Sequence, residues 1–336
     1  MVPVSRGFHP RAKVADNGSM NPIISGLGGL AAVGAAGVAY ASLVERNLFT
    51  LRRVDVPVLP ADARPIRVLQ LSDLHLVPRQ QRKIDWVRGL DVLEPDLVVN
   101  TGDNFAAMDA APALVQAMEP LMERPGVFVM GSNDYYAPHF KNPAVYLTDR
   151  YAKAPAVRPM LPTDELRSAF TASGWVDLDN ARTTMAVGAE GIPLDLVGVD
   201  DPHIELDDYA SVSGPAPGDT ALTVGVLHAP YQRVLNAMVA DGAGLVIAGH
   251  THGGQLALPV IGALVTNCDL DTSRAKGLSR WWPGAGLGEG RALPSSAAPG
   301  HAAYLHVSAG LGTSPYAPVR FACRPEATLL TLTPRV

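Results

Sequence analysis

An α/β fold with largely parallel strands is the fold class this sequence predicts, and three observations predict it. Short apolar, β-branched runs recur at residues 66–71, 96–100, 126–130, 222–227 and 245–248. Segments with helical apolar spacing, or irregular segments, separate them, and that β-α-β rhythm favours parallel pairing. Most runs end in polar residues, so each strand would deliver chemistry at its C-terminal end, where open α/β sheets bind ligands.

Bulk properties narrow the class. At 336 residues, 47% hydrophobic and 18% charged, the chain can bury a large core and is not disordered. A net charge of −5, with 5 Lys against 22 Arg, leaves no basic patch for nucleic acid. Two cysteines, Cys268 and Cys323, exclude a C-x-x-C zinc site and a disulfide framework. Unpaired thiols are the expectation, with a single bridge left open. Nothing in the sequence predicts a protein partner.

Residues 1–21 are polar and read as a disordered tail. From Pro22 to Val44 there is no charge, although five glycines (Gly26, Gly28, Gly29, Gly34 and Gly37) dilute the hydrophobicity. About 20 apolar residues can span a bilayer as a helix, so residues 22–47 are read as an uncleaved membrane anchor. A signal peptide cleaved near Ala39-Tyr40-Ala41 and a soluble packed helix compete with that reading. The expected location is the cell membrane through this one segment. Arg6, Arg11 and Lys13 before it face Arg46, Arg52 and Arg53 after it, so the side is not fixed.

Residues 48–336 form the main domain. Residues 55–65 alternate and carry three prolines, as an edge strand or a linker would. The strand at 66–71 runs into Ser72-Asp73-Leu74-His75-Leu76, and a helical stripe follows over 80–93. The strand at 96–100 ends in Thr101-Gly102-Asp103-Asn104, with a helix at 110–123. The strand at 126–130 ends in Gly131-Ser132-Asn133-Asp134. Residues 138–165, with five prolines, read as an irregular loop over the site. Two strands alternate over 178–199 and close at Asp200-Asp201-Pro202-His203. The strand at 222–227 ends at His228, and a short helix covers 231–241. The run at 245–248 leads into Gly249-His250-Thr251-His252-Gly253-Gly254-Gln255. Residues 266–300 read as irregular, and 304–308 and 328–333 as closing strands.

The strand ends together supply Asp73, His75, Asp103, Asn133, His228, His250 and His252. Seven mixed nitrogen and oxygen ligands exceed one tetrahedral ion and suit two divalent ions sharing a carboxylate. Two such ions suit phosphoryl transfer.

With these motifs in this order the chain resembles the calcineurin-like metallophosphoesterases. That pattern runs D-x-H, G-D, G-N-H-D/E, a lone H and G-H-x-H. It is most similar to a membrane-anchored bacterial subgroup, which carries Ser-Asp-Leu-His-Leu, Gly-His-Thr-His-Gly-Gly-Gln and a closing segment here spelled Pro318-Val319-Arg320-Phe321-Ala322-Cys323-Arg324-Pro325-Glu326. The resemblance covers about Val54 to the C-terminus and implies a four-layer α/β/β/α sandwich, here preceded by an N-terminal hydrophobic helix. It implies that Asp73, His75 and His252 hold one metal, that Asn133, His228 and His250 hold the other, and that Asp103 bridges them. Mn, Fe and Zn all suit these ligands.

One departure is visible. The family's Gly-Asn-His-Asp stands here as Gly131-Ser132-Asn133-Asp134, so the usual imidazole is missing. Matched residue for residue, Ser132 falls on the ligand; anchored on the strand, Asn133 remains the ligand and Asp134 replaces the histidine. The second alignment is preferred, because a hydroxyl is a poorer ligand than an amide carbonyl. Asp134 or His203 is then the candidate catalytic acid, and Asn104, His139 and Trp281 are candidate substrate contacts. Asp134 would need a pKa well above the usual ~3.9; a purely orienting role is the alternative. Leu278, Trp281 and Trp282 are read either as an apolar lip at a membrane surface or as packing. The resemblance points to a phosphodiester or pyrophosphate bond in a lipid-linked or envelope substrate of the UDP-diacylglucosamine kind. Rival readings are a metal-binding module without activity, a mononuclear site, and a phosphomonoesterase or nucleotide phosphodiesterase.

Overall fold

The computed structural model describes residues 22–139, 158–288 and 290–335. The expected N-terminal tail lies outside them, as do residues 140–157 of the expected loop. The chain divides into two units, Met1–Ala39 and Tyr40–Val336. In the first, helix α1 covers Pro22–Ala39. Among the described residues no helix is long and apolar enough to cross a membrane. The expected spanning helix is therefore not supported, and the glycine dilution of the segment is the physical reason.

The second unit holds two six-stranded, mainly parallel sheets. In the first sheet, β1 (Thr50–Leu59) is an edge strand paired with the C-terminal strand Glu326–Pro334. Pro57 is tolerated there, beside a register shift. The C-terminal strand also pairs antiparallel with β2 (Ile66–Leu71). From β2 the sheet continues in parallel through β3 (Leu97–Asn100), β4 (Gly126–Phe128) and β5 (Val176–Asp177). Helices α2 (Gln81–Arg88) and α3 (Ala111–Met118) follow β2 and β3. A single turn, α4 (Ser132–Tyr135), follows β4, and α5 (Thr163–Ala172) precedes β5. Both α5 and β5 escaped the sequence reading, which took 138–165 as an irregular loop and assigned no element between it and the strands at 178–199.

In the second sheet β6 (Ala181–Val187) pairs antiparallel with β7 (Ile192–Gly198). The order continues in parallel through β8 (Leu222–Val226) and β9 (Leu245–Ala248). Helix α6 (Gln232–Ala240) links β8 to β9. Two short hairpins, β10 (Ala257–Leu258) with β11 (Gly262–Ala263), and β13 (Gly286–Gly288) with β14 (Arg291–Ala292), flank β12 (Gly277–Trp281). Strand β12 is the far edge, antiparallel to β15 (Ala303–Val307), which lies parallel to β9. The expectation of irregular structure over 266–300 is corrected here. Gly-Leu-Ser-Arg-Trp carries no apolar alternation, and its pairing with β15 makes it a strand. The Glu326–Pro334 strand is β16.

Three buried clusters account for the sequence pattern. Leu69, Leu71, Val98 and Phe128 of the first sheet pack with Ile84, Leu114 and Phe170 of its helices. Val68, Val99 and Val127 share a second cluster with Leu196, Val224 and Ile247 of the other sheet. Val246, Ala248 and Leu305 join Leu235 and Met238 of α6, and also Trp281, in a third. Central parallel strands buried on both faces are why the strand runs read as uninterrupted apolar stretches.

Candidate metal centre

Each candidate ligand sits just past the C-terminal end of a strand: Asp73 and His75 after β2, Asp103 after β3, Asn133 after β4, His228 after β8, and His250 and His252 after β9. Five of them adopt left-handed backbone conformations, with φ of 48° at Asp73, 39° at His75, 56° at Asp103, 69° at His250 and 50° at His252. Non-glycine residues rarely adopt that region, and such strain gathers at functional sites. Close approach of the loops explains Gly249. A side chain there would run into Ser72 Oγ and come within 2.8 Å of Asp73 Oδ2.

Asp73, His75, Asp103 and His252 place their ligand atoms within 4.8 Å of one another. His75 Nε2 is 3.1 Å from His252 Nε2 and 3.4 Å from Asp103 Oδ2. Asp73 Oδ1 lies 3.5 Å from His252 Nε2 and is buried with no hydrogen-bond donor among the described residues. A buried carboxylate oxygen without a donor is costly unless a cation satisfies it. Asp73 Oδ2, in contrast, accepts from Ser72 Oγ at 2.5 Å and from the His250 N–H at 3.0 Å. Burial pushes the His75 imidazole down to about 4 and His252 well below its usual value, so both are neutral and offer lone pairs. Burial also raises Asp73 to about 6. Two facing imidazole nitrogens beside an unsatisfied carboxylate oxygen fit a divalent cation.

Asp103 also faces the other candidate ligands. Its Oδ2 is 3.6 Å from His228 Nε2, and His228 Nε2 is 3.3 Å from His250 Nδ1. Asn133 gives Asp103 two hydrogen bonds, from its backbone N–H and its side-chain amide, each 2.7 Å. The structure thus brings Asn133 to the site but turns its donor end, not the expected carbonyl oxygen, toward Asp103. Burial, the largest single effect, opposes charge on both Asp103 and His228. It is outweighed only by their mutual attraction together with His75 and the Asn133 hydrogen bonds at Asp103, and with Asp201, Asp73 and the Thr101 carbonyl at His228. Asp103 is held well below the usual carboxylate range, and His228 is pushed up to about 9.

Backbone carbonyls set three of the imidazoles. Thr101 O lies 2.7 Å from His228 Nδ1, Asn267 O 3.1 Å from His250 Nε2, and Gly312 O 3.2 Å from His252 Nδ1. An N–H held by a carbonyl leaves the other ring nitrogen to serve as a ligand. Arg320, fully buried, donates to the carbonyls of Ala309, Gly310 and Gly312 at 2.7, 3.0 and 2.7 Å. It therefore holds the carbonyl that sets His252.

The remaining candidates separate. Asp134 is fully buried and accepts from the backbone N–H groups of Asp103, Asn104 and Gly131 at 2.8, 2.7 and 3.0 Å. Burial and the nearby Asp103 raise it to about 7. That is the elevated value an acid needs, but its oxygens face backbone and fix the Asp103 loop. The expected leaving-group acid is corrected to a clamp on that loop. Asn104 is likewise not a substrate contact: fully buried, it exchanges hydrogen bonds with Asn100 at 2.8 and 3.2 Å. Trp281 is fully buried, donates to Asn236 at 3.0 Å and lies under the Arg274 guanidinium, so the apolar lip is corrected to core. Trp282 is also buried. His203 does join the site, its ring 4.5 Å from that of His250 and its Nδ1 3.1 Å from the Tyr231 hydroxyl. His139 is half-buried, at the end of a described segment. Cys268 and Cys323 are unpaired and buried.

Sequence reasoning did not assign roles to Ser72 and Arg320, although both lie in quoted motifs. The carbonyls of Asn267 and Gly312 carry no sequence signal at all.

Comparison with known proteins bears on the same residues. Residues 66–254 match the family described as calcineurin-like phosphoesterase. The chain is 24% identical over 329 residues to the uncharacterized metallophosphoesterase YkuE of Bacillus subtilis, covering 94% of this chain and 97% of that protein. It is 28% identical over 211 residues to the bovine transmembrane protein with metallophosphoesterase domain, covering 60% of this chain and 44% of that protein. Among solved structures, TT1561 of Thermus thermophilus matches at 11% identity and a TM-score of 0.36, covering 74% of this chain and 91% of that one.

Proposed function

Because the chain belongs to the calcineurin-like phosphoesterase family, we propose that it hydrolyses a phosphodiester or pyrophosphate bond with two divalent metals, Mn, Fe or Zn, bridged by Asp103. One observation carries this reading: Asp103 Oδ2 lies 3.4 Å from His75 and 3.6 Å from His228, between two sets of ligands. Asp73, His75 and His252 would hold one ion, and His228, His250 and a rotated Asn133 the other. When bound, such a pair polarises phosphate oxygens and lowers the pKa of water.

The chain's own residues do the rest. Asp134 fixes the backbone that carries Asp103, and Ser72 fixes one oxygen of Asp73. Thr101, Asn267 and Gly312 fix the ring orientations of three histidines. His203 is the imidazole we assign to hold or donate a proton at the leaving group, a role supported by its ring lying 4.5 Å from that of His250. The missing histidine of the Gly131–Asp134 block favours a leaving group that needs little acid help, such as a phosphate. That supports the pyrophosphate arm, and a lipid-linked or envelope substrate is the specific form proposed.

The test is a panel of bis-p-nitrophenyl phosphate, p-nitrophenyl phosphate and a nucleotide-sugar lipid, each with Mn²⁺ and Zn²⁺, alongside metal analysis. Metal-dependent turnover of the diester or pyrophosphate, lost in Asp103→Ala and His250→Ala, is expected. Retained turnover in both variants overturns the reading. Full metal loading without any turnover would establish the rival reading, a binding module that has lost its acid.

A further inference from the structure

The loop that carries His250 and His252 runs directly into an exposed apolar hairpin. From Gly253 to Cys268 the sequence has no charged residue. The β10–β11 hairpin turns over at Pro259, Val260 and Ile261, and Val260 and Ile261 are 108% and 72% exposed. Val260 also holds a φ of 74°. A β-branched residue in the left-handed region at full exposure is not placed there by local preference. Leu256, Leu258 and Leu264 are exposed beside it. Phe321 joins the patch through a bridge to Leu256, with the Ala257 N–H bonded to the Phe321 carbonyl at 2.9 Å.

Residues 41–45, at the start of the same unit, are tied to this same place. The Arg320 N–H donates to the Ala41 carbonyl at 3.1 Å, and the Cys323 N–H to Glu45 Oε1 at 2.7 Å. Leu43 and Val44, next to these contacts, are exposed. Two separate apolar elements thus converge on the strap around residues 320–323. Contiguous exposed apolar surface marks an interaction site. Tyr40, Tyr316 and Phe321, all exposed, bring aromatic side chains of the kind enriched at membrane–water interfaces. Weak apolar surface elements of this kind hold a domain on a bilayer when they act together. Stable membrane attachment commonly takes two such signals.

We propose that the 256–264 hairpin is a membrane-insertion tip, which seats the domain on a phospholipid bilayer and brings the His250–His252 loop to the lipid surface. The tip and the exposed Leu43 and Val44 of the same unit act together in this attachment. This goes beyond the hydrolytic reading and does not depend on it.

The test uses the full chain with vesicles of phosphatidylcholine and phosphatidylglycerol at 7:3. Val260→Asp/Ile261→Asp is expected to lower co-flotation at least tenfold, whereas Val92→Asp, an exposed aliphatic residue elsewhere, leaves it unchanged. Melting temperature and turnover of soluble substrate should not move in either variant. In a second arm, Val260→Cys carries an environment-sensitive fluorophore, with labelling confined to the tip because Cys268 and Cys323 are buried. The probe should blue-shift on adding vesicles. Unchanged flotation of the double variant, or an unshifted probe, overturns the proposal. So does a lipid-free dimer that the double variant dissolves, which would assign the tip to a second copy of the chain.

Discussion

The two halves of the ligand cluster meet at Asp103 and are built differently. On one side His75 and His252 are neutral, and Asp73 keeps a buried oxygen without a donor among the described residues. On the other, His228 is pushed up to about 9, and Asn133 presents its amide N–H to Asp103. The first half is open to a cation as it stands; the second is closed by a proton and an amide. The difference teaches that a buried carboxylate takes whatever donors lie near it, and that a metal has to displace them.

Asp103→Ala would break the comparison outright, because it removes the shared element. We expect a fall in kcat/KM of ~10³-fold or more, about 4 kcal/mol of transition-state stabilisation, with metal loss from both halves by elemental analysis. A pH series sharpens the contrast. At neutral pH His228 holds a proton that the metal must expel. Affinity of the second half should therefore rise roughly tenfold per pH unit and level off near pH 9, while the first half stays nearly flat above pH 7. Competition against a fluorescent chelator at pH 7, 8 and 9 would resolve two classes of site; parallel curves would refute the asymmetry. The same proton stabilises the metal-free fold, because the folded value lies above the unfolded one. That contribution is complete below about pH 6.5 and is lost as the pH rises through 9. The metal-free melting temperature should drop over that window and the loaded protein's should not.

Asp134→Asn keeps the shape but turns an amide N–H toward backbone donors. Because Asp134 holds the backbone of Asp103, both halves should weaken together, by ~10–100-fold in metal affinity. A loss confined to turnover, with metal binding intact, would instead restore Asp134 as an acid. The smallest effect is expected for Trp281→Phe. Losing its bond to Asn236 should cost about 1 kcal/mol of stability, read by chemical denaturation, with KM unchanged; a raised KM would return Trp281 to the substrate.

What was legible in the sequence follows from how each residue acts. Asp73, His75, Asp103, His228, His250 and His252 act through side chains at strand ends, so strand and motif together placed them. Asp134 and Asn133 were harder because their partners are a backbone loop and a carboxylate that only the fold brings near. Trp281 and Trp282 were ambiguous because β12 gave no strand signal, and without that strand their burial could not be inferred. The parallel strands were legible as apolar runs, whereas α5, β5 and β12 are fixed by their neighbours more than by their own pattern. The anchor reading rested on absence of charge, which glycine-rich sequence satisfies without the required apolar surface.

Arg320 has one more consequence. The stretch 66–254 that matches the family contains all seven candidate ligands, and so looks like a portable module. It is not one. The carbonyl that orients His252 belongs to Gly312, the one that orients His250 belongs to Asn267, and the guanidinium that holds Gly312 comes from position 320. Strands β15 and β16, beyond residue 254, sit inside their respective sheets. Grafted or expressed alone, the matched stretch would carry the right ligands on loose hinges. The C-terminal quarter is the clasp that turns a set of ligands into a site.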